Sequence, residues 1–199
     1  MPRRNRGYKK GEPFRDARLF VIACEGEKRE KEYFEALVEG QRRIKVKLLF
    51  PSDEEKGQSA PRWVVNRAAS YEKEYGLSPE DNMWLVMDVD RWGMEALLAI
   101  AKQCIEASWN VAFSNPCFEI WLYLHIKELP EDEEWDCKTC KQQLHQLVAG
   151  GYDKEYFVPL VSEAIDRAAA ADSDPVHHIP HDMCTKVYRL AEEIRAWLE

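Results

Sequence analysis

Residues 19–24 (LFVIAC) form an unbroken apolar run bounded by Gly26, the pattern of a strand buried on both faces of a parallel sheet. Residues 27–41 are rich in Glu, Lys and Arg, yet Tyr33, Phe34, Leu37 and Val38 recur at helical spacing on one face, so a helix follows. Residues 44–50 alternate and then run apolar as a second strand closed by Pro51. The polar stretch 52–60, with Gly57, reads as a mobile loop. Pro61 opens a helix whose inward stripe is Trp63, Val64, Arg67, Ala68 and Tyr71, with a stop at Gly76. Residues 83–87 form a third strand, 93–108 an Ala- and Leu-rich helix, 109–113 a short fourth strand, and 117–127 an apolar helix after Asn115-Pro116. This alternation predicts an α/β fold of about four mainly parallel strands, joined by right-handed crossovers and flanked by helices.

The pattern changes at 130–136 (PEDEEWD), which sets five carboxylates in seven residues and marks a linker or an insertion boundary. Beyond it, 138–148, 153–170 and 181–199 read as helices with no strand signal among them. Three regions follow: a basic, flexible arm over 1–18, an α/β core over 19–129, and an acidic linker with a helical C-terminal extension packed on the core over 130–199.

The chain has 199 residues, 45% hydrophobic and 32% charged, enough to bury roughly 70% of its unfolded surface without disulfides. No apolar run approaches the ~18 residues of a membrane span, and MPRRNRGYKK leads into a polar segment, so a cytoplasmic protein with six reduced cysteines is expected. A formal charge of -8 argues at first against a polyanionic partner. Its distribution changes that reading: residues 1–18 carry seven basic groups against Glu12 and Asp16, and the remainder is strongly acidic. A basic arm before an acidic body suits phosphate contact by the arm and cation binding by the body, and a solvated tail is the structural alternative.

In a parallel α/β sheet, functional groups gather at the carboxyl ends of strands. Cys24-Glu25-Gly26-Glu27 ends strand one and Met87-Asp88-Val89-Asp90-Arg91 ends strand three. Asp88 and Asp90 point to one side of an extended segment, and Glu25 on a neighbouring strand can converge with them. Three carboxylates in one crevice repel unless protonated or holding a cation, and oxygen-only ligands suit Mg2+ or Mn2+. The structural alternative is that they cap helix N-termini. Glu119, between Phe118 and Ile120-Trp121, is a charge in apolar company that needs a metal, a cation or hydrogen-bonded partners. On a helix Asn115 and Glu119 share a face. His125 fits a structural hydrogen bond at a helix end as well as a site role.

A zinc reading would combine Cys137-x-x-Cys140 with His177, His178, His181 and Cys184, but a single Cys-x-x-Cys beside an acidic linker argues against zinc. Seven tryptophans suggest base stacking, yet most sit in apolar stripes; only Trp92, after the Asp-x-Asp-Arg run, falls near the crevice, with Arg91 as a phosphate contact.

The Glu-Gly after strand one and the Asp-x-Asp after strand three resemble the Toprim catalytic domain of topoisomerases, primases and several nucleases. More closely, the blocks Val21 to Lys28 with Tyr33-Phe34, Asp88 to Trp92, Ser114 to His125, and Thr185 to Tyr188 resemble the RloB-like family. The resemblance implies a Toprim-like, Mg2+- or Mn2+-dependent nuclease of bacterial mobile defence loci, linked to restriction-modification and abortive infection. It implies Glu25 as general acid/base and metal ligand, and Asp88 and Asp90 as holders of the cation. Asn115, Glu119 and His125 match the third motif. A Thr-Glu-Pro run common after the lysine is replaced here by Arg29-Glu30-Lys31, which leaves Glu30 open as an additional ligand.

The combined expectation is phosphodiester cleavage of RNA, tRNA among the candidates, or of DNA. Glu25, Asp88, Asp90 and Glu119 are its catalytic set, and Lys28, Glu30, Arg91, Asn115 and His125 contact substrate or support the ligands. An ATPase or restriction-modification component as partner, and a homodimer, are compatible with it. The rivals are a non-catalytic module that binds nucleic acid or nucleotide within a defence complex, and a zinc-stabilised adaptor.

Overall fold

A computed structural model describes residues 17–26, 28–51, 61–89 and 92–198. Residues 1–16 of the basic arm, the loop 52–60, and the candidate residues Asp90 and Arg91 lie outside the described residues. Strands β1 (Arg18–Cys24), β2 (Ile44–Leu49), β3 (Asn82–Asp88) and β4 (Asn110–Asn115) alternate with helices α1 (Arg29–Leu37), α2 (Pro61–Tyr75) and α3 (Met94–Glu106). Then come α4 (Glu119–Leu124), α5 (Cys137–Leu147), α6 (Lys154–Phe157), α7 (Val161–Ala171), β5 (Cys184–Thr185) and α8 (Val187–Arg195).

The sheet order is β2-β1-β3-β4-β5, parallel except for β5. Period-two alternation along each strand divides the core. Phe20, Ile22 and Cys24 of β1, with Trp84 and Val86 of β3, face one side, where α1, α4, α5, α7 and α8 cover them. Val21, Ala23, Met83, Leu85 and Met87 face the other, under Val64, Val65 and Ala68 of α2 and Leu97, Ile100, Ala101 and Cys104 of α3. The chain leaves β1 across one face and β2 across the other, so the winding direction reverses between β1 and β3. Such a reversal opens a crevice beyond the strands' carboxyl ends.

Strands β1 to β4, with α2, α3 and α5, lie within about two residues of where the sequence puts them, whereas α1 ends at Leu37 rather than 41 and α4 ends at Leu124 rather than 127, and further expectations are corrected. The segment 181–199 is not one helix: β5 pairs antiparallel with β4 (Ser114 with Thr185, Asn115 with Cys184) before α8 starts, making the sheet five-stranded. The helix expected over 153–170 is interrupted around Pro159, which starts a 3-10 turn between α6 and α7. Asn115 is the last residue of β4 and α4 begins only at Glu119, so the two do not share a helical face. Arg18, counted with the basic arm, opens β1, its guanidinium 4.9 Å from the Trp197 ring and donating to Asn82 Oδ1 at 3.1 Å.

The C-terminal helices complete the sheet's cover. Val187, Leu190, Ala191 and Ile194 of α8 belong to the same buried cluster as Phe20 and Trp84. Glu193 accepts from Asn82 Nδ2 (2.7 Å) and Trp84 Nε1 (3.3 Å) at the start of β3. Lys186, with no exposed side-chain surface, donates to both oxygens of Asp172 at 2.5 and 2.6 Å and to the Asp174 carbonyl at 2.8 Å. Tyr188 Oη also donates to Asp172, at 2.9 Å, so the buried carboxylate is held on two sides.

Candidate functional site

Because β1 and β3 are hydrogen-bonded neighbours, with Cys24 opposite Val86, the residues that end them fall side by side in the crevice. Glu25 N donates to Val86 O at 3.1 Å, and Glu25 Oε2 accepts from Asp88 N at 3.3 Å. Asp88 Oδ1 accepts from the Phe118 amide at 2.9 Å, immediately before α4. One oxygen of Asp88 therefore does the capping work weighed as the structural alternative.

Glu30 joins them from the first turn of α1. It is 7% exposed and accepts from Gly26 N at 3.0 Å. Only glycine lets the carboxyl lie so close: a Cβ on residue 26 would sit 2.6 Å from Glu30 Oε2. Burial raises the Glu30 pKa, its backbone hydrogen bonds offset part of that, and the charges of Glu119 and Glu25 raise it further. Glu25, Glu30, Asp88 and Glu119 thus form one acidic group drawn from four segments of the chain. Hard oxygen donors of this kind match Mg2+ or Mn2+. Lys28 is exposed at the start of α1.

On the α4 side the group merges with thiols. Glu119, its side chain 13% exposed, lies 3.7 Å from Lys141 Nζ. One ligand atom each from Cys117, Glu119 and Cys137 lie within 4.8 Å of one another. Cys117 interacts with Cys137, which lowers its pKa, and with Cys140, which together with burial raises it; the net result is a thiol held far above its ordinary range. Cys137 is raised likewise, first by its hydrogen bond with Cys117 and then by burial. Cys24, at the end of β1, is raised by burial and then by the Glu30 charge.

Arg67 is a residue the sequence reading left in the inward stripe of α2 without assigning it to the site. Its Nη2 donates to the Cys24 carbonyl at 2.7 Å, which places a guanidinium at the carboxyl end of β1. Arg67 also lines a groove of about 780 Å3 between α2 and the edge strand β2, with Lys47, Trp63, Asn66, Tyr71 and Tyr75. The available signal was an arginine interrupting an apolar stripe.

Two third-motif residues do not join the acidic group. Asn115 Nδ2 donates to the carbonyls of Pro180 (3.4 Å), His181 (2.9 Å) and Asp182 (3.2 Å), fastening the strand that follows. His125 is 1% exposed; its Nε2 lies 3.2 Å from Tyr33 Oη and its Nδ1 2.9 Å from Trp121 O. Rings of Tyr33, Trp121 and Phe157 surround it, and burial lowers its pKa to about 4, so it is a neutral structural histidine at pH 7. Trp92 packs against the cluster under α2 and α3.

His177, His178 and His181 line a separate groove against α3, away from Cys137 and Cys140. No helix among the described residues is long and apolar enough to cross a membrane.

Neither the curated proteins nor the solved structures contain a match to this chain. The family model for RloB-like protein matches residues 20–194, a span that takes in β1 with Glu25, β3 with Asp88, the Cys117–Glu119 corner and nearly all of α8, and the chain belongs to the RloB-like family.

Proposed function

We propose that the chain is a divalent-metal-dependent phosphodiesterase acting on nucleic acid, with a Toprim-like core. The observation that carries this reading is the convergence of Glu25, Asp88, Glu30 and Glu119 on the β1/β3 crevice, where burial first, and then the charges of Glu119 and Glu25, raise the Glu30 pKa. Glu25 and Asp88 would hold Mg2+ or Mn2+, with Glu30 and Glu119 beside them and Asp90 as the third ligand of the sequence motif. The ion, when bound, supplies charge stabilisation for the scissile phosphate and its departing oxygen.

The chain's own residues do the remaining work. Arg67, fixed to the Cys24 carbonyl, offers its guanidinium to a phosphate beside the crevice. Lys47, Trp63, Tyr71 and Tyr75 give the adjoining groove the mixture of positive charge and aromatic faces that suits a nucleic-acid strand. Glu25 exchanges the proton at the attacking or leaving oxygen. A role in phage defence, with an ATPase or restriction-modification partner, belongs to the same proposal.

The test is cleavage of tRNA, mRNA, single-stranded DNA and duplex DNA by the full chain with Mg2+ or Mn2+. Cutting of at least one substrate is expected, with Glu25→Gln and Asp88→Ala slowed by about 100-fold or more. Intact substrates throughout, or cutting by Asp88→Ala at the wild-type rate, would overturn the reading.

A second reading, a non-catalytic module that binds nucleic acid, is favoured by the hydrogen bond that the Phe118 amide donates to Asp88, which gives that carboxylate a structural task. Divalent-independent binding without cleavage would select it.

A further inference from the structure

The thiols beside Glu119 make up a chemistry that the hard-cation crevice does not need. Cys117 lies just before α4 and Cys137 is the first residue of α5, twenty positions later, yet their sulfurs and a Glu119 carboxylate oxygen all lie within 4.8 Å of one another. Asp136 sets the start of α5 by accepting from the Thr139 amide at 2.7 Å, which fixes Cys137 at this corner.

In a tetrahedral zinc site with Zn–S bonds near 2.3 Å, donor atoms sit about 3.7 Å apart. Donors already within 4.8 Å reach that spacing by small side-chain rotations. Mg2+ selects against such a set, because thiolates are soft ligands, whereas zinc accepts sulfur and carboxylate together. The charge also suits: two thiolates and one carboxylate bring three negative charges, zinc supplies two positive ones, and Lys141 Nζ stands 3.7 Å from Glu119 Oε1.

We propose that Cys117, Glu119 and Cys137 bind one zinc ion at the junction of α4 and α5, with water in the fourth position. Binding releases the two thiol protons to solvent and forms two sulfur–zinc bonds. Cys140 is buried beside Cys117 and completes the sulfur-rich wall of the site. This ligand set differs from the one suggested by Cys-x-x-Cys spacing, in which Cys140 and the distant histidines would bind. Zinc here ties α4 to α5 across the acidic segment 130–136 and fixes the Glu119 carboxylate at the crevice wall. The proposal shares Glu119 with the phosphodiesterase reading but does not depend on it.

The experiment loads the reduced, full-length chain with Zn2+ or Co2+, measures bound metal by atomic absorption, and records the cobalt spectrum. One thiolate-bound ion per chain is expected, apart from any held by the crevice carboxylates, with thiolate-to-cobalt charge-transfer bands and tetrahedral d–d bands. Cys137→Ser should weaken binding by more than about tenfold. Absence of thiolate bands in the wild-type cobalt spectrum would overturn the proposal, even if Cys137→Ser failed to fold. So would undiminished zinc binding by a folded Cys137→Ser. If nuclease activity is absent while cobalt shows thiolate bands, the phosphodiesterase reading fails and this one stands.

Discussion

Glu30 depends on what its neighbour lacks. A methyl group at position 26 would collide with its carboxyl, so Gly26→Ala is expected to expel Glu30 from its buried place and reduce divalent-dependent activity by about tenfold or more, read as kcat/KM beside a thermal melt. Glu30→Gln keeps the acceptor for Gly26 N and removes the charge. Since the folded pKa of Glu30 is raised above its ordinary value, its proton favours the native state, and that contribution is lost as pH rises through the folded pKa. At pH 8 without divalent metal, Glu30→Gln should therefore melt a few degrees higher than wild type. His125 has the opposite sign. Its pKa falls from 6.5 to about 4 on folding, so between those values the unfolded chain binds the extra proton. Stability should rise with pH across that window by about 3 kcal/mol, and His125→Gln should flatten the slope in urea midpoints measured from pH 4 to pH 7. In the sequence, Glu25 and Asp88 were legible because strand-end position alone brings them together. Glu30 entered only through the family resemblance, because its place depends on a gap left by a glycine, and the role of Arg67 was hidden because it depends on a carbonyl reached across 43 positions. Nor could spacing say that His125 would be enclosed by Tyr33, Trp121 and Phe157.

Elements with a strong period were read correctly because burial on both faces leaves a strand little choice of sequence, as in LFVIAC for β1. β5 escaped because two residues cannot show a period. Its strand character comes from tertiary bonds: the Ser114 hydroxyl lies 2.8 Å from that of Thr185, and Asn115 Nδ2 contacts three successive carbonyls just upstream. The turn into α8 is secured next to it by Lys186 on Asp172. Removing the ammonium leaves a buried carboxylate with the Tyr188 hydroxyl and the Asp174 amide as its remaining donors and its charge unbalanced by a direct partner, so Lys186→Met should cost about 3 kcal/mol in denaturant unfolding. Arg189 Nη2 stands 3.7 Å from the same carboxylate and is expected to recover only part of the loss.

At the scale of the molecule, the acidic excess is gathered rather than spread. Four carboxylates meet at one crevice and five stand in 130–136. A cation that binds the crevice binds the folded chain selectively, so millimolar Mn2+ or Mg2+ should raise Tm in the wild type and leave Asp88→Ala unmoved, as measured by differential scanning fluorimetry. One face of the sheet is shared between the two ends of the chain: residues of α1 and α8 belong to the same buried cluster as Phe20, Ile22 and Trp84. During translation the first four strands leave the ribosome well before residues 187–195 do, and the part of the apolar face that α8 covers stays wet until then. The nascent chain must then wait, compact but unsettled, for its last helix, and a chaperone that shields aromatic surface has its longest opportunity during that interval.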